Sequence, residues 1–227
     1  METKEKIIKI IKDNVKREGI DRLLFFLEES DYYEAPASIQ YHSNEKGGLA
    51  EHSLSVYNIL KEKNDRYGKE YSEETIAIVG LLHDVCKINF YKEKEFEPAT
   101  PAQLNYLKSL SKTDFSDSDL SKDAASKLIE QYKGTKPTSV KNYNAPLWVV
   151  DDQLPIGHGE KSIFVIQKYI DLLDDEAMAI RWHMAAFDAG IHFNYPSGFP
   201  FRQACDKCKL VVLTFTSDYE SDKILNI

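Results

Sequence analysis

The run Gly80-Leu81-Leu82-His83-Asp84-Val85-Cys86-Lys87 constrains this chain more than any other segment. Ser72, Glu74 and Thr75 open a helix that carries Ile76, Ile78, Val79, Leu81 and Leu82 up to the His-Asp pair. Leu81 and Leu82 set the histidine at a buried helix end. A buried charge needs a partner or a cation. An imidazole nitrogen beside a carboxylate oxygen suits a divalent ion. A second histidine stands upstream in Gly47-Gly48-Leu49-Ala50-Glu51-His52-Ser53, and an aspartate closes Thr214-Phe215-Thr216-Ser217-Asp218.

Most of the remaining chain also reads as helix. Ile7, Ile8, Ile10, Ile11 and Val15 recur at helical spacing over residues 3–17, and Gly19 is expected to end that helix. Asp21 is expected to cap a second helix through Glu29. Gly47-Gly48 precedes a third, from Leu49 to Asp65. Helices are expected near 101–110 and 119–132, then at 158–172, 174–184 and 201–216. Residues 142–152, with Trp148-Val149-Val150, read as a short strand or hairpin. The fold class is mostly α, with a small β-hairpin at most. Residues 88–140 are punctuated by Pro98, Pro101 and Pro137 and are dense in Ser and Asp, so they read as an inserted surface segment.

The elements Gly47-Gly48-Leu49-x-Glu51-His52, Leu81-Leu82-His83-Asp84-x-x-Lys87 and Asp218 form an H…HD…D pattern in order. In this the chain resembles the HD superfamily of metal-dependent phosphohydrolases, of the phage- and prophage-type, over roughly residues 35–220. The resemblance implies an HD-type helical bundle preceded by N-terminal helices over 1–34 and followed by a tail over 221–227. It implies that His52, His83, Asp84 and Asp218 hold a divalent ion. Asp206 and Asp222 compete with Asp218 for the last place. Some HD branches, including HD-GYP phosphodiesterases and exoribonuclease-type HD domains, carry extra histidines between the HD pair and the final aspartate. These bind a second ion bridged by the HD aspartate. His158 and His183 lie in that interval, open to the same role, to a phosphate contact or to a place in the core. One ion or two, and Mn, Fe, Mg, Ni or Co, stay open.

The activity implied is hydrolysis of a nucleotide or another small phosphorylated compound by metal-activated water. Asp84 and Lys87 are the candidate catalytic residues. Lys87 lies one turn past the pair, where an ammonium can offset charge on a phosphoryl group. A solvated lysine at a helix end is the alternative. Two further readings are a 3′-to-5′ exoribonuclease-like nuclease, because Gly47 to His52 resembles that branch, and a non-catalytic nucleotide-binding HD module. No GYP run supports HD-GYP activity; Asn194-Tyr195-Pro196-Ser197-Gly198 is a distant echo.

Substrate contacts are expected from Lys161 and Ser162, at a helix N-terminus that favours anions, and from Arg181 and Asp188. Gly157-His158-Gly159-Glu160-Lys161-Ser162 lacks the spacing of a nucleotide phosphate loop. Glu51 should face away from His52. His42 and His192 read as loop histidines, with His42 near the Gly47-Gly48 turn. Tyr41, Phe90 and Tyr91 flank the site segments and could stack on a base.

Composition narrows the partners. A net charge of -8 disfavours long nucleic acid, which rewards a basic face. A small phosphorylated substrate fits better. No apolar stretch reaches the length of a membrane span. The N-terminus runs into a charged helix without the apolar core of a signal peptide. Three cysteines, Cys86, Cys205 and Cys208, are too few for a disulfide framework and fit a reducing cytoplasm. Cys205 and Cys208 read as two helix cysteines rather than a redox pair. The exposed N-terminal helices leave a homodimer open.

Overall fold

A computed structural model describes residues 2–39, 43–111, 120–134, 148–185 and 199–227. The described chain falls into two compact units, one of residues 1–92 and 150–227, the other of residues 93–149.

In the first unit, helix α1 (Thr3–Asn14) buries Ile7 and Ile11 on one face. It ends at Val15, one turn earlier than its periodicity predicts. Val15 is buried, and Arg17 reaches Glu74 and Glu176, so tertiary contacts pull the chain out of the helix. Gly19 does not end α1 but is the N-cap of α2 (Ile20–Glu29), which places Asp21 inside the first turn. Helix α3 spans Gly48–Arg66, and α4 spans Glu73–Leu82. Ser72 caps α4 through its hydroxyl, which accepts from the Thr75 N–H at 3.1 Å. Every residue of α4 from Thr75 to Leu82 is buried, so this is the central helix. Helices α3 and α1 pack against it. A 3-10 turn over Val85–Lys87 follows.

Two glycines set the helix spacings that matter for the site. A Cβ on Gly80 would lie 2.6 Å from the Tyr57 Cα, so α4 meets α3 at backbone distance. A Cβ on Gly159 would lie 2.3 Å from the Arg181 carbonyl oxygen, which holds the start of α7 against the end of α8. Helix α7 spans His158–Ile166 and α8 spans Asp174–Arg181, both shorter than their sequence patterns.

The single helix expected over 201–216 is two helices, α9 (Phe199–Lys207) and α10 (Lys209–Glu220). Cys208 between them is buried and extended, with φ -135° and ψ 107°. The Tyr71 hydroxyl accepts from the Leu210 N–H at 3.1 Å and so satisfies one free donor of the new helix start. Helix α10 packs on α3 and α8.

In the second unit, α5 (Pro101–Ser111) and α6 (Lys122–Lys133) enclose a small core of Leu107, Leu120, Ala124, Ala125 and Leu128. Ser121 caps α6, accepting from the Ala124 N–H at 3.1 Å. Strands β1 (Tyr91–Glu93) and β2 (Trp148–Val150), at the two places where the chain leaves one unit for the other, pair as a two-stranded sheet. Of the strand or hairpin expected at 142–152, residues 142–147 lie outside the described residues, and the described part pairs with β1. The fold is mostly α, as the periodicity implies. No helix among the described residues is long and apolar enough to cross a membrane.

Candidate metal centre

Five elements of the first unit converge on one buried polar cluster. His52 comes from the first turns of α3, His83 and Asp84 from the end of α4, His158 from the start of α7, His183 from just past α8, and Asp218 from the last turns of α10. The imidazoles form a continuous group. Ring centroids lie 5.4 Å apart for His52 and His83, 5.0 Å for His83 and His183, and 5.4 Å for His158 and His183.

Hydrogen bonds set the ring orientations. His83 Nδ1 lies 3.0 Å from the Gly80 carbonyl, and His183 Nδ1 lies 2.7 Å from the Ile180 carbonyl. Each Nδ1–H donates to its carbonyl, which leaves each Nε2 as a lone-pair nitrogen. Both Nε2 atoms are buried and lack a hydrogen-bond partner. They face carboxylates. His83 Nε2 is 3.9 Å from Asp84 Oδ2 and 3.8 Å from Asp218 Oδ1. His183 Nε2 is 3.3 Å from Asp84 Oδ1, out of line for a hydrogen bond.

His52 follows the same plan. Its Nδ1 is 3.0 Å from the Ile227 backbone oxygen, and its Nε2 is 2.9 Å from Asp218 Oδ1 and 3.9 Å from Asp84 Oδ2. His158 Nε2 is 2.8 Å from Asp84 Oδ1.

Lone pairs and carboxylates that converge in a buried space repel one another unless a cation sits among them. Donor atoms around one ion, at bonds of about 2.0–2.2 Å, stand roughly 3 to 4 Å apart. The distances above fall in that range. His52, His83 and Asp84 could hold a metal ion, and so could Asp84, His158 and His183. The residues present fit a divalent cation.

The carboxylates favour positive charge among the imidazoles: burial would lower His52 and His183, yet Asp218 raises the first and Asp84 the second, so a bound cation takes the place of a proton there. Burial drives His83 down to about 3, so its imidazole stays neutral and able to ligate. Burial alone would raise Asp218, but His52, His83 and His183 pull it down to about 2. Burial also opposes the charge on Asp84, yet Lys87 and His158 hold it well below the usual carboxylate range. Both carboxylates are therefore anionic at neutral pH.

The remaining sequence candidates sit as follows. Lys87 Nζ lies 2.5 Å from Asp84 Oδ2. Lys161 is buried, pairs with Asp152, and stands 4.9 Å from the Phe90 ring centroid. The Ser162 hydroxyl accepts from the Cys86 N–H at 3.2 Å. Arg181 Nε is 2.5 Å from Glu160 Oε1, and its guanidinium lies over Trp182 at 4.2 Å. Glu51 is exposed. Asp206 lies on α9, and Asp222 pairs with Lys223 at 2.5 Å. Asp188, His42, His192 and Tyr41 fall outside the described residues.

Two residues beside the centre carried no role in the sequence reading. Asp152 is the partner of Lys161 and has no local signal. Cys86 has one, its position two residues after Asp84. Its sulfur lies 3.3 Å from His158 Nε2.

A helical unit with a histidine and a His-Asp pair on successive helices is the arrangement of an HD domain. The family model of the HD domain matches residues 49–179, more than half of the chain, and the chain belongs to that family. The match includes His52, His83, Asp84 and His158. A dihydroneopterin 2′,3′-cyclic phosphate phosphodiesterase of Methanocaldococcus jannaschii is 42% identical over 66 residues, covering 27% of this chain. The chain spans about a quarter of that relative, 26% of its length. No solved structure matches the chain.

Proposed function

We propose that this protein is a metal-dependent phosphohydrolase that cleaves a phosphodiester or phosphomonoester of a nucleotide or similar small compound. The observation that carries the reading is the division of Asp84. Its Oδ1 faces His158 and His183, while its Oδ2 faces His52 and His83. One carboxylate thus reaches both clusters and could serve a cation in each. His52, His83, Asp84 and Asp218 would hold one, and Asp84, His158 and His183 the other. Divalent cations so placed supply an activated water near neutral pH and polarise a phosphoryl oxygen.

The chain's own residues supply the rest. The His83 and His183 carbonyl bonds hold each Nε2 in place before substrate arrives. Lys87 keeps its ammonium at Asp84 Oδ2, where positive charge offsets the phosphoryl group as negative charge builds. His158 is the most exposed of the four clustered histidines, with 27% of its side chain accessible, so substrate meets the centre from its side. The relative's name is that of a cyclic phosphate phosphodiesterase. That supports cyclic phosphodiesters as the first substrates to try.

The test is a hydrolysis screen of the full chain with Mn, Mg, Co, Ni and Fe on nucleoside 2′,3′-cyclic phosphates, bis-p-nitrophenyl phosphate, nucleoside monophosphates and short RNA. Metal-dependent turnover that falls at least about a thousandfold in Asp84→Asn is expected, since that change weakens both clusters. No turnover on any substrate by protein carrying bound metal would sink the enzymatic reading in favour of a binding module.

A further inference from the structure

We propose that the Cys86 sulfur is a ligand of the second cluster, beside Asp84, His158 and His183, and that this cluster takes a thiophilic divalent first-row ion. The inference rests on the two-cluster reading above. Cys86 Sγ lies 3.3 Å from His158 Nε2 and 3.7 Å from Asp84 Oδ1. Donors around one tetrahedral ion, with metal–nitrogen bonds of about 2.0 Å and metal–sulfur bonds of about 2.3 Å, stand roughly 3.2–3.8 Å apart. The sulfur meets that spacing to two of the three other donors.

The contacts of the sulfur lead to the same place. His158 Nε2 faces a carboxylate oxygen at 2.8 Å and a thiol at 3.3 Å. The thiol's other neighbours are the Asp84 backbone oxygen and Oδ1, each at 3.7 Å, so the sulfur faces the same carboxylate as the two imidazoles. His183 Nε2, only 1% exposed on the residue and without a hydrogen-bond partner, points at the same Asp84 oxygen. A cation held by Asp84, His158 and His183 would meet their facing atoms, and the Cys86 sulfur stands within reach of two of them.

The fold also holds Cys86 in register with His158. The Cys86 N–H donates to the Ser162 hydroxyl, and Ser162 lies one turn along α7 from His158. Cys86 is 2% exposed, so its sulfur serves the centre and not the solvent. Ion binding replaces the S–H bond with a sulfur–metal bond and releases the proton to solvent. Thiolate ligation favours zinc, iron or cobalt over magnesium.

The full chain loaded with zinc or with cobalt tests this. Ions per chain are counted by plasma mass spectrometry, and the sulfur is read by zinc-edge X-ray absorption and by the sulfur-to-cobalt charge-transfer band. Two ions per chain and a sulfur shell at about 2.3 Å are expected in the wild type. Both sulfur signals should vanish in Cys86→Ser, with one zinc held about tenfold or more weakly, while Cys205 and Cys208 remain. Two ions with no sulfur signal, or a signal that persists in Cys86→Ser, would overturn the Cys86 assignment alone. One ion without sulfur would overturn that assignment and the two-cluster reading together. One ion with sulfur would support the assignment and overturn the second cluster's partner. The wild-type spectra decide even if the variant does not fold.

Discussion

The two oxygens of Asp84 meet different partners, Oδ1 toward His158 and His183, Oδ2 toward Lys87, His52 and His83. Position in sequence cannot divide a carboxylate in this way. The His-Asp pair itself is legible, because adjacent polar residues at the end of an apolar helix demand a reason. His158 and His183 are visible only as histidines in the right interval; their distance to Asp84 is set by α7 and α8. The division makes a residue-level expectation. His183→Ala should lower bound metal from two ions per chain to one, because it removes a donor from one cluster and none from the other. Retention of two ions, counted after dialysis, would place His183 among structural histidines.

At the scale of elements, the centre depends on how closely helices approach. Gly80 lets α4 sit against Tyr57 of α3, and this sets His83 beside His52. Gly80→Ala should cost about 1–3 kcal/mol in overpacking, reduced by about 1 kcal/mol of better helix propensity. Thermal unfolding should therefore fall by a few degrees, and metal affinity should fall with it as the helices part. An unchanged melting temperature would mean the interface has room. Helix α8 depends on another contact. Glu176 is fully buried, accepts from both Arg17 terminal nitrogens at 2.6 and 2.7 Å, and accepts from the Leu173 N–H at 2.9 Å. Glu176→Ala removes the two-nitrogen ion pair of Arg17, which keeps only Glu74 at 3.6 Å and the Asp171 carbonyl, and takes the acceptor from the Leu173 N–H, a loss of about 3 kcal/mol. Urea unfolding should show a lower midpoint with an unchanged slope. Neither Gly80 nor Glu176 announces itself in the sequence, since both effects are made by residues far away along the chain.

At the scale of the molecule, all the candidate donors lie in the unit of residues 1–92 and 150–227, and none in residues 93–149. The second unit has its own small core and its own cap at Ser121. Replacing residues 94–147 with a short Gly-Ser linker should therefore leave two ions bound per chain. Loss of both ions from a variant that retains helical circular dichroism would give the second unit a part in the centre.

Periodicity and caps determined the helices, because spacing along the chain and a Ser72-type cap act within a few residues. The H…HD…D motif pointed to the HD family, which the family match shows, and to a buried group of donors that could hold a metal ion. Only the tertiary structure decided where α1 ends, why α9 and α10 separate at Cys208, and that Lys161 is committed to Asp152. It alone set Cys86 beside His158. These outcomes depend on distances between segments remote in sequence, and such distances exist only once the helices have packed.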